Sequence, residues 1–105
     1  MSLPVVVSVE AEAQIEAIDS WWRENRPSSP GLFAEELAEA FSMIEFAPEA
    51  GRRYAHSEVK GVRRLLLRST RHHVYYVATG DAAVILAVWG SIKGAGPDLT
   101  RLGNL

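Results

Sequence analysis

Residues 61–89 read GVRRLLLRSTRHHVYYVATGDAAVILAVW, and this stretch decides the fold. It contains three segments rich in Val, Ile, Leu and Tyr, which are residues that favour β-strands, at positions 62–68, 73–78 and 82–89. Thr79-Gly80-Asp81 is typical of a tight hairpin turn, and Ser69-Thr70-Arg71 separates the first two segments. The stretch therefore predicts an antiparallel meander of three strands.

The residues before this stretch predict one short strand and then a helix. Val5, Val6, Val7 and Val9 form a β-branched run that is typical of a strand. From residue 10 to residue 25 the apolar positions change to helical spacing. The residues that share this apolar helix face are Ile15, Ile18 and Trp22.

A second helix is predicted at residues 32–46. Ser29 is the expected cap, and Pro30 is expected in the first turn. Pro48 and Gly51 end the helical half, and the residues that follow, up to Gly61, are predicted to form a loop. Apolar residues three and four positions apart mark the buried face of this helix, namely Phe33, Leu37, Ala40, Phe41 and Ile44.

The predicted fold class is α+β in the order β-α-α-β-β-β, with a helical hairpin packed on one face of an antiparallel sheet. A chain of 105 residues holds one core, so residues 1–105 are expected to form a single domain with its core at about residues 5–99. The helices cover only one face, yet both faces of the last strand are apolar. We therefore expect another cover for the second face. The alternating sets on that strand are Val84, Leu86 and Val88 against Ala83, Ile85, Ala87 and Trp89.

Charge is divided by position along the chain. Residues 1–50 hold ten of the 13 acidic side chains and two of the 11 Lys and Arg residues, whereas residues 51–105 hold the other three and nine. The halves therefore carry formal charges of −8 and +6 within a net charge of −2. This asymmetry predicts a cationic face built from the second half, and an acidic partner such as nucleic acid is the first candidate.

Several classes of site are excluded by composition. The chain has no cysteine, so disulfides and thiolate sites are ruled out. Its longest apolar run, residues 82–89, is far shorter than the roughly 20 residues that span a bilayer, so no membrane association is expected and the cytoplasm is the predicted location. The glycines after the last strand lack the pattern of a phosphate-binding loop. We expect no cofactor.

The richest cluster of chemical groups lies around the first turn of the meander. Four arginines and two histidines fall within eleven residues: Arg63, Arg64, Arg68, Arg71, His72 and His73. Alternation along a strand places Arg64 and Arg68 on one face and Arg63 on the other. Two interpretations remain open. The arginines pair with glutamates of the second helix, or they form a clamp for phosphate or carboxylate.

The neighbouring aromatic and imidazole groups add proton-transfer candidates. Tyr75 and Tyr76 point to opposite faces, so one is expected in the core and the other at the surface near the basic groups. A surface tyrosine there is suited to stacking on a base or to moving a proton. The adjacent histidines are poorly placed to share one metal ion, and no third ligand lies at suitable spacing, so no metal site is predicted.

Three segments taken together resemble the RelE/ParE superfamily of bacterial toxins, also called plasmid stabilisation proteins. They are residues 61–67 (GVRRLLL), 75–77 (YYV) and 84–89 (VILAVW), and Pro48-Glu49-Ala50-Gly51 after the second helix also fits. The resemblance covers about residues 5–99. It implies a toxin of a type II toxin-antitoxin system that is neutralised in a hetero-oligomer by a cognate antitoxin, which folds over the apolar and cationic face. Tyr75, Ile85 and Trp89 are the expected antitoxin contacts.

The resemblance leaves the target open between two branches. ParE-like members act on DNA gyrase, whereas RelE-like members cleave messenger RNA on the ribosome with cations and proton-transfer groups around the phosphate. This chain has Gly90, Ser91 and Ile92 where related nucleases often carry a histidine, arginine or tyrosine, and only Lys93 is basic. Residues 62–67 are also more similar to the ParE-like branch. Gyrase inhibition is therefore the leading expectation.

The alternatives use overlapping residues. A ribonuclease would draw on Arg64, Arg68, His72, His73, Tyr76 and Lys93. The residues expected to bind the target or a phosphate are Arg63, Arg64, Arg68, Arg71 and Lys93. A third alternative is an inactive homologue that is retained for binding the antitoxin.

Overall fold

The structure, a computed structural model, describes residues 2–91, 96, 97 and 99. Its elements in chain order are β1 (Val5–Val7), α1 (Val9–Asn25), α2 (Leu32–Phe46), β2 (Arg52–Arg53), β3 (Val62–Leu67), β4 (His72–Ala78) and β5 (Ala83–Gly90). The α+β class, the helical hairpin and the three C-terminal strands are confirmed. The addition is β2, which lies within the predicted loop.

The five strands form one mixed sheet in the order β1-β5-β4-β3-β2. The meander of β3, β4 and β5 is antiparallel as predicted. β1 is different, because it pairs in parallel with β5, with Val5 opposite Ala83. The expectation of a wholly antiparallel sheet is therefore wrong. A three-residue run specifies a strand but not its partner, and here the helical hairpin returns the chain so that β1 borders β5.

α1 begins with a side-chain cap that the sequence prediction assigned to the strand. The hydroxyl of the buried Ser8 accepts a hydrogen bond from Ala11 N at 3.1 Å, so Val9 is the first helical residue. The predicted cap of α2 is wrong, since Gly31 occupies that position and makes no side-chain cap bond. Ser29 instead accepts a bond from Trp22 Nε1 through its carbonyl, at 2.9 Å.

One core lies between the helices and the sheet. The predicted apolar faces of both helices are confirmed, since their residues are buried or packed against this core. The sheet contributes side chains from β3, β4 and β5 that point toward the helices, and we call this side of the sheet the helix face. Its buried sheet residues are Leu67, Val74, Tyr76, Ala83, Ile85 and Val88.

The opposite side, which we call the outer face, has a smaller core of its own. Its buried residues are Val62, Tyr75, Val77, Val84, Leu86, Ala87 and Leu99. Part of the expected second cover is therefore the chain itself. Tyr54 and Val59, from the segment after β2, pack against this cluster. Leu99 is 5% exposed, and its carbonyl accepts a hydrogen bond from the Ser57 hydroxyl at 2.9 Å.

A bulge at Leu86 changes which β5 side chains share a face. Tyr76 is opposite Ile85 and Tyr75 is opposite Ala87, so Leu86 is the extra residue. The predicted alternation, with Ile85 and Trp89 on one face, is therefore wrong: Ile85 lies on the helix face and Trp89 on the outer face.

The capping residue Ser8 and Gln14 of α1 provide hydrogen-bond partners for backbone groups of β5 near the bulge. The Ser8 hydroxyl donates to Leu86 O at 3.3 Å, and Gln14 Oε1 accepts from Val88 N at 2.8 Å. These bonds satisfy backbone groups on the edge of β5 that extends beyond the short β1.

Candidate functional site

The short strand β2 brings two more arginines to the sheet. Arg52 lies directly opposite Arg64, and Arg53 lies directly opposite Arg63. Because neighbours in a strand point to opposite faces, the first pair belongs to the outer face and the second to the helix face. Sequence reasoning missed β2 because two residues have no measurable periodicity; the only signal was the Arg-Arg-Tyr run itself.

Arg63 has a structural role. Its Nη1 donates hydrogen bonds to the carbonyls of Gly51 at 2.9 Å and Glu49 at 3.4 Å. The guanidinium therefore fastens the end of the α2–β2 connection to β3. The prediction that Arg63 and Arg64 lie on opposite faces is confirmed by their strand partners, Tyr76 and Tyr75.

Tyr76 fastens the same connection from the core. Its hydroxyl donates to Pro48 O at 2.7 Å and accepts from Gly51 N at 2.9 Å. Burial raises the pKa of Tyr76 above its ordinary 10.0, despite the opposing effects of the Gly51 hydrogen bond and of Arg63. The hydroxyl is therefore protonated at neutral pH and engaged with two backbone groups.

The expectation that one of the two tyrosines lies at the surface is wrong. Tyr75 does point to the opposite face, but it is only 2% exposed. The ring of Tyr54 packs edge-on against it, with centroids 4.9 Å apart. The outer face is covered here because the segment after β2 folds back over the sheet.

A basic cluster lies on the outer face beside this covered region. The Arg64 guanidinium sits 5.2 Å from the centre of the Tyr54 ring, a cation–π arrangement. His73 is half-buried, with its ring 5.9 Å from that of Tyr75. Burial and, to a lesser degree, the positive charge of Arg64 lower the pKa of His73 below 6.5. At neutral pH the cluster therefore contains a neutral imidazole next to permanent cations.

The ribonuclease candidates are divided between the two faces of the sheet. Arg64 and His73 lie on the outer face, whereas Tyr76 lies on the helix face. His72 also faces the helices, with its ring 5.4 Å from that of Phe33. Of the remaining two, Arg68 is exposed just after β3, and Lys93 lies outside the described residues.

The turn between β3 and β4 is held by α2. Glu36 accepts hydrogen bonds from Ser69 N at 2.8 Å, from Thr70 N at 3.1 Å and from the Thr70 hydroxyl at 2.7 Å. Burial raises its pKa, but these bonds together outweigh burial and leave the pKa of Glu36 below 4.5. Arg71 follows in the left-handed region with φ 65°, and its carbonyl accepts from Ser91 N at 2.8 Å.

These contacts decide between the two interpretations of the arginine cluster. Within the described part of the chain, no carboxylate forms an ion pair with any of Arg63, Arg64, Arg68 or Arg71. The interpretation in which they pair with glutamates of α2 is therefore wrong, because Glu36 serves the turn backbone instead. Arg68 and Arg71 are exposed.

A groove of about 690 Å³ runs along the edge of β3 that β2 leaves unpaired. Arg52, Arg64, Arg68 and His73 provide its basic lining, and Glu36 and Glu39 of α2 provide acidic groups. Its apolar lining includes Met43 and Leu66, both of which are exposed. The groove therefore combines charges of both signs with accessible apolar surface.

The three expected antitoxin contacts lie in different environments. Ile85 is fully buried on the helix face, so its side chain is not accessible to a partner. Tyr75 is buried beneath Tyr54, and Trp89 is half-buried on the outer face. The bulge at Leu86 explains why Ile85 is separated from the other two.

The described residues show neither a membrane-spanning helix nor a metal-binding group of side chains. There, neither helix is long and apolar enough to cross a membrane. The same residues contain no group of three or more His, Asp or Glu side chains arranged to hold a metal ion.

Comparison with known proteins places this fold and sequence in a family. Residues 5–91 match the family described as "ParE toxin of type II toxin-antitoxin system, parDE". A chain of the chromosomal ParDE TA system from P. aeruginosa has a similar fold, with a TM-score of 0.68 and 20% sequence identity over 84% of this chain and 95% of that chain. No curated protein sequence matches significantly. The chain therefore belongs to the family of ParE toxins of type II toxin-antitoxin systems, whose members act with a cognate antitoxin.

Proposed function

We propose that this toxin acts in the cytoplasm by inhibiting DNA gyrase. Its family supports this target over messenger RNA. The observation that favours gyrase inhibition over RNA cleavage is the separation of the proton-transfer candidates. Tyr76 and His72 lie beneath the helices, while Arg64 and His73 lie across the sheet from them. General acid–base cleavage needs such groups within hydrogen-bond reach of one phosphate, and this division is unfavourable for it.

The contact with the target is proposed to involve the exposed cations around the β3–β4 turn. Arg68 and Arg71 are exposed, and Arg64 is partly exposed beside them. Arg63 is less suited, because its guanidinium is engaged with the carbonyls of Gly51 and Glu49. Permanently charged, forked guanidiniums favour an acidic surface and speed its approach.

The antitoxin is proposed to cover the part of the outer face that the chain leaves accessible. Trp89 is half-buried there, and Leu66 is 38% exposed on the same face. An antitoxin segment that orders on binding is suited to such a surface, because it gains apolar burial and pairs its acidic groups with the arginines. Tyr75 would become a contact only if Tyr54 moved away from it.

A supercoiling assay with the purified chain tests the proposed target. We expect gyrase to lose supercoiling activity, and we expect the double variant Arg68→Gln, Arg71→Gln to inhibit at least about tenfold less strongly, since each buried charge contact with a partner is worth on the order of 1 kcal/mol or more. Arg23→Gln is the matched control. It removes one positive charge from α1, where Arg23 forms an exposed ion pair with Asp19.

Other outcomes would favour the alternatives. Unchanged supercoiling at excess toxin, together with cut messages in translating cells, would support a ribonuclease of the RelE type. Unimpaired growth when the chain is expressed alone would support an inactive homologue that binds the antitoxin. The order in which supercoiling and translation fail after induction separates the first two.

A further inference from the structure

The Arg52–Arg64 pair places two like charges opposite each other on adjacent strands. Directly opposite side chains on one face have Cβ atoms about 4.5 to 5.5 Å apart, and like charges in that position are destabilising. Within the described residues, no carboxylate forms an ion pair with either guanidinium. The pair is therefore a concentration of positive charge without an ion-pair partner among the described residues.

The neighbouring pair shows what a compensated arrangement looks like. Arg53 and Arg63 are opposite each other in the same two strands, but on the helix face. There Arg63 donates to two backbone carbonyls, which satisfies its guanidinium. Arg64 makes no such hydrogen bond to the described residues, and its guanidinium lies against the face of Tyr54. The Tyr54 ring restrains the position of the guanidinium without neutralising its charge.

His73 adds a third nitrogen-bearing group to the same surface. It lies opposite Leu66, two residues along β3 from Arg64, and both His73 and Arg64 line the groove together with Arg52. Of the acidic groups that line the groove, Glu36 is already engaged with the β3–β4 turn. Glu39 is exposed and forms no ion pair with the arginines.

We propose that Arg52, Arg64 and His73 form a binding site for a phosphate-type oxyanion. Two guanidiniums and one imidazole that line the same groove supply several N–H donors. A tetrahedral oxyanion presents acceptor oxygens in several directions, whereas a carboxylate presents its two oxygens in one plane. The anion would also relieve the repulsion between the arginines. Its source is a free anion or the phosphodiester backbone of a nucleic acid, and the site does not depend on which enzyme the toxin inhibits.

The site is expected to bind more tightly as pH falls. In the free protein, burial and Arg64 hold His73 in its neutral form. A bound anion stabilises the imidazolium, so binding takes up a proton and affinity rises as pH falls toward the pKa of free His73. The pKa of Glu36 is below its ordinary 4.5, so this carboxylate stays ionised near neutral pH. Arg68 and Glu39 are the other charged groups that line the groove.

Titration of the purified chain with sulfate at constant ionic strength tests the site. Sulfate is a tetrahedral dianion that does not itself titrate near neutral pH, so the His73 imidazole signals in an NMR spectrum report binding directly. We expect a saturable shift that strengthens on acidification. Arg52→Gln should weaken binding about tenfold, equivalent to about 1.4 kcal/mol. Arg53→Gln, the matched control on the helix face, should change it by less than about twofold.

Each result decides the proposal. No saturable His73 shift, or equal losses in Arg52→Gln and Arg53→Gln, would overturn it, because only general electrostatic attraction would then remain. A shift caused by a glutamate-rich peptide but not by sulfate would overturn it in favour of an acidic protein partner. If a short DNA duplex displaces sulfate, the phosphodiester backbone is the source. If it does not, while orthophosphate does, the source is a free anion.

Discussion

At the scale of single residues, neighbouring side chains of one type have different roles. The buried Tyr76 hydroxyl forms hydrogen bonds with the α2–β2 connection. Tyr75 lies in the core of the outer face, and its hydroxyl makes no hydrogen bond to the described residues. Similarly, Arg63 binds backbone carbonyls and Arg64 stacks on Tyr54. Strand alternation is the physical cause in both cases, because one step along the chain changes the face.

Replacing Tyr76 by Phe should destabilise the protein by about 1 to 3 kcal/mol, because Gly51 N–H and Pro48 C=O would lose their partner in a buried setting. Urea denaturation measures the loss. Tyr75→Phe removes the same atom without breaking such bonds and serves as the control. Equal losses in the two variants would contradict the role assigned to the Tyr76 hydroxyl.

Gly51 should not tolerate a side chain. A Cβ atom at this position would lie 2.7 Å from the Tyr76 hydroxyl and 3.0 Å from Arg64 O, closer than normal contacts. We expect Gly51→Ala to lower the melting temperature clearly, since the backbone of β3 cannot easily yield. Gly80→Ala provides the comparison, because its Cβ would meet nothing within 4 Å. A melting temperature unchanged in both would show that the connection rearranges freely.

The sequence could predict residue faces only where alternation is regular. Arg63 and Arg64 were correctly assigned to opposite faces for that reason. Ile85 was not, because the bulge at Leu86 interrupts the alternation and depends on distant groups, Ser8 and Gln14, that complete the backbone bonding. The partners of Tyr76 and Glu36 were equally hidden, since hydrogen bonds between segments more than 25 residues apart leave no local pattern.

At the scale of elements, α2 controls the turn between β3 and β4 through one carboxylate. Glu36 binds two backbone N–H groups and a hydroxyl in residues 69–70. These residues lie between the exposed Arg68 and Arg71. The helix therefore fixes the position from which Arg68 and Arg71 project. An exposed arginine on a loosely held turn would lose more conformational entropy on contacting a partner.

Glu36→Gln should destabilise the protein at neutral pH by about 1.5 kcal/mol, because an amide cannot accept all three bonds and those bonds are charge-assisted. The pKa of Glu36 is lowered in the folded state, so its stabilisation is complete above 4.5 and is lost as pH falls through the folded pKa. The difference from the parent protein should therefore shrink on acidification, as measured by urea unfolding at a series of pH values.

Glu39→Gln is the control for the loss of stability at neutral pH. It lies three residues further along α2, is exposed and makes no hydrogen bond to the described residues. Its unfolding free energy should stay close to that of the parent. A Glu36→Gln difference that grows on acidification would contradict the sign of the linkage.

Elements with a long, regular pattern were predictable, and those without one were not. Both helices and β3, β4 and β5 followed from periodicity and turn residues. The two-residue β2 and the parallel pairing of β1 depend on tertiary contacts, such as the bond from Ala83 N to Pro4 O at 2.9 Å. The family resemblance predicted the class of function, but the basic cluster on the outer face required β2 to bring Arg52 beside Arg64.

At the scale of the whole molecule, the division of charge along the sequence becomes a division in space. The half with formal charge −8 forms the helical hairpin, and most of the half with charge +6 forms the sheet and its turns. A partner approaching the outer face meets arginines first, whereas one approaching the hairpin meets glutamates. The molecule therefore has an electric dipole even though its net charge is small.

Association with gyrase should slow as salt increases, because the Debye length falls from about 10 Å at 0.1 M to about 3 Å at 1 M ionic strength. Surface plasmon resonance measures the association rate. The Arg68→Gln, Arg71→Gln double variant should flatten the salt dependence, while Arg23→Gln should leave it nearly unchanged. A rate that is insensitive to salt in the parent protein would exclude steering by the basic face.

The pairing of β1 with β5 has a consequence for the cell that makes this protein. Ser8 bonds to Leu86 across 78 residues of sequence, and β1 has no strand partner until β5 exists. During translation the first strand must therefore wait until β5 has left the ribosome. A nascent chain that ends before β5 lacks the partner with which β1 pairs. We therefore expect the complete sheet to form only after β5 has been synthesised.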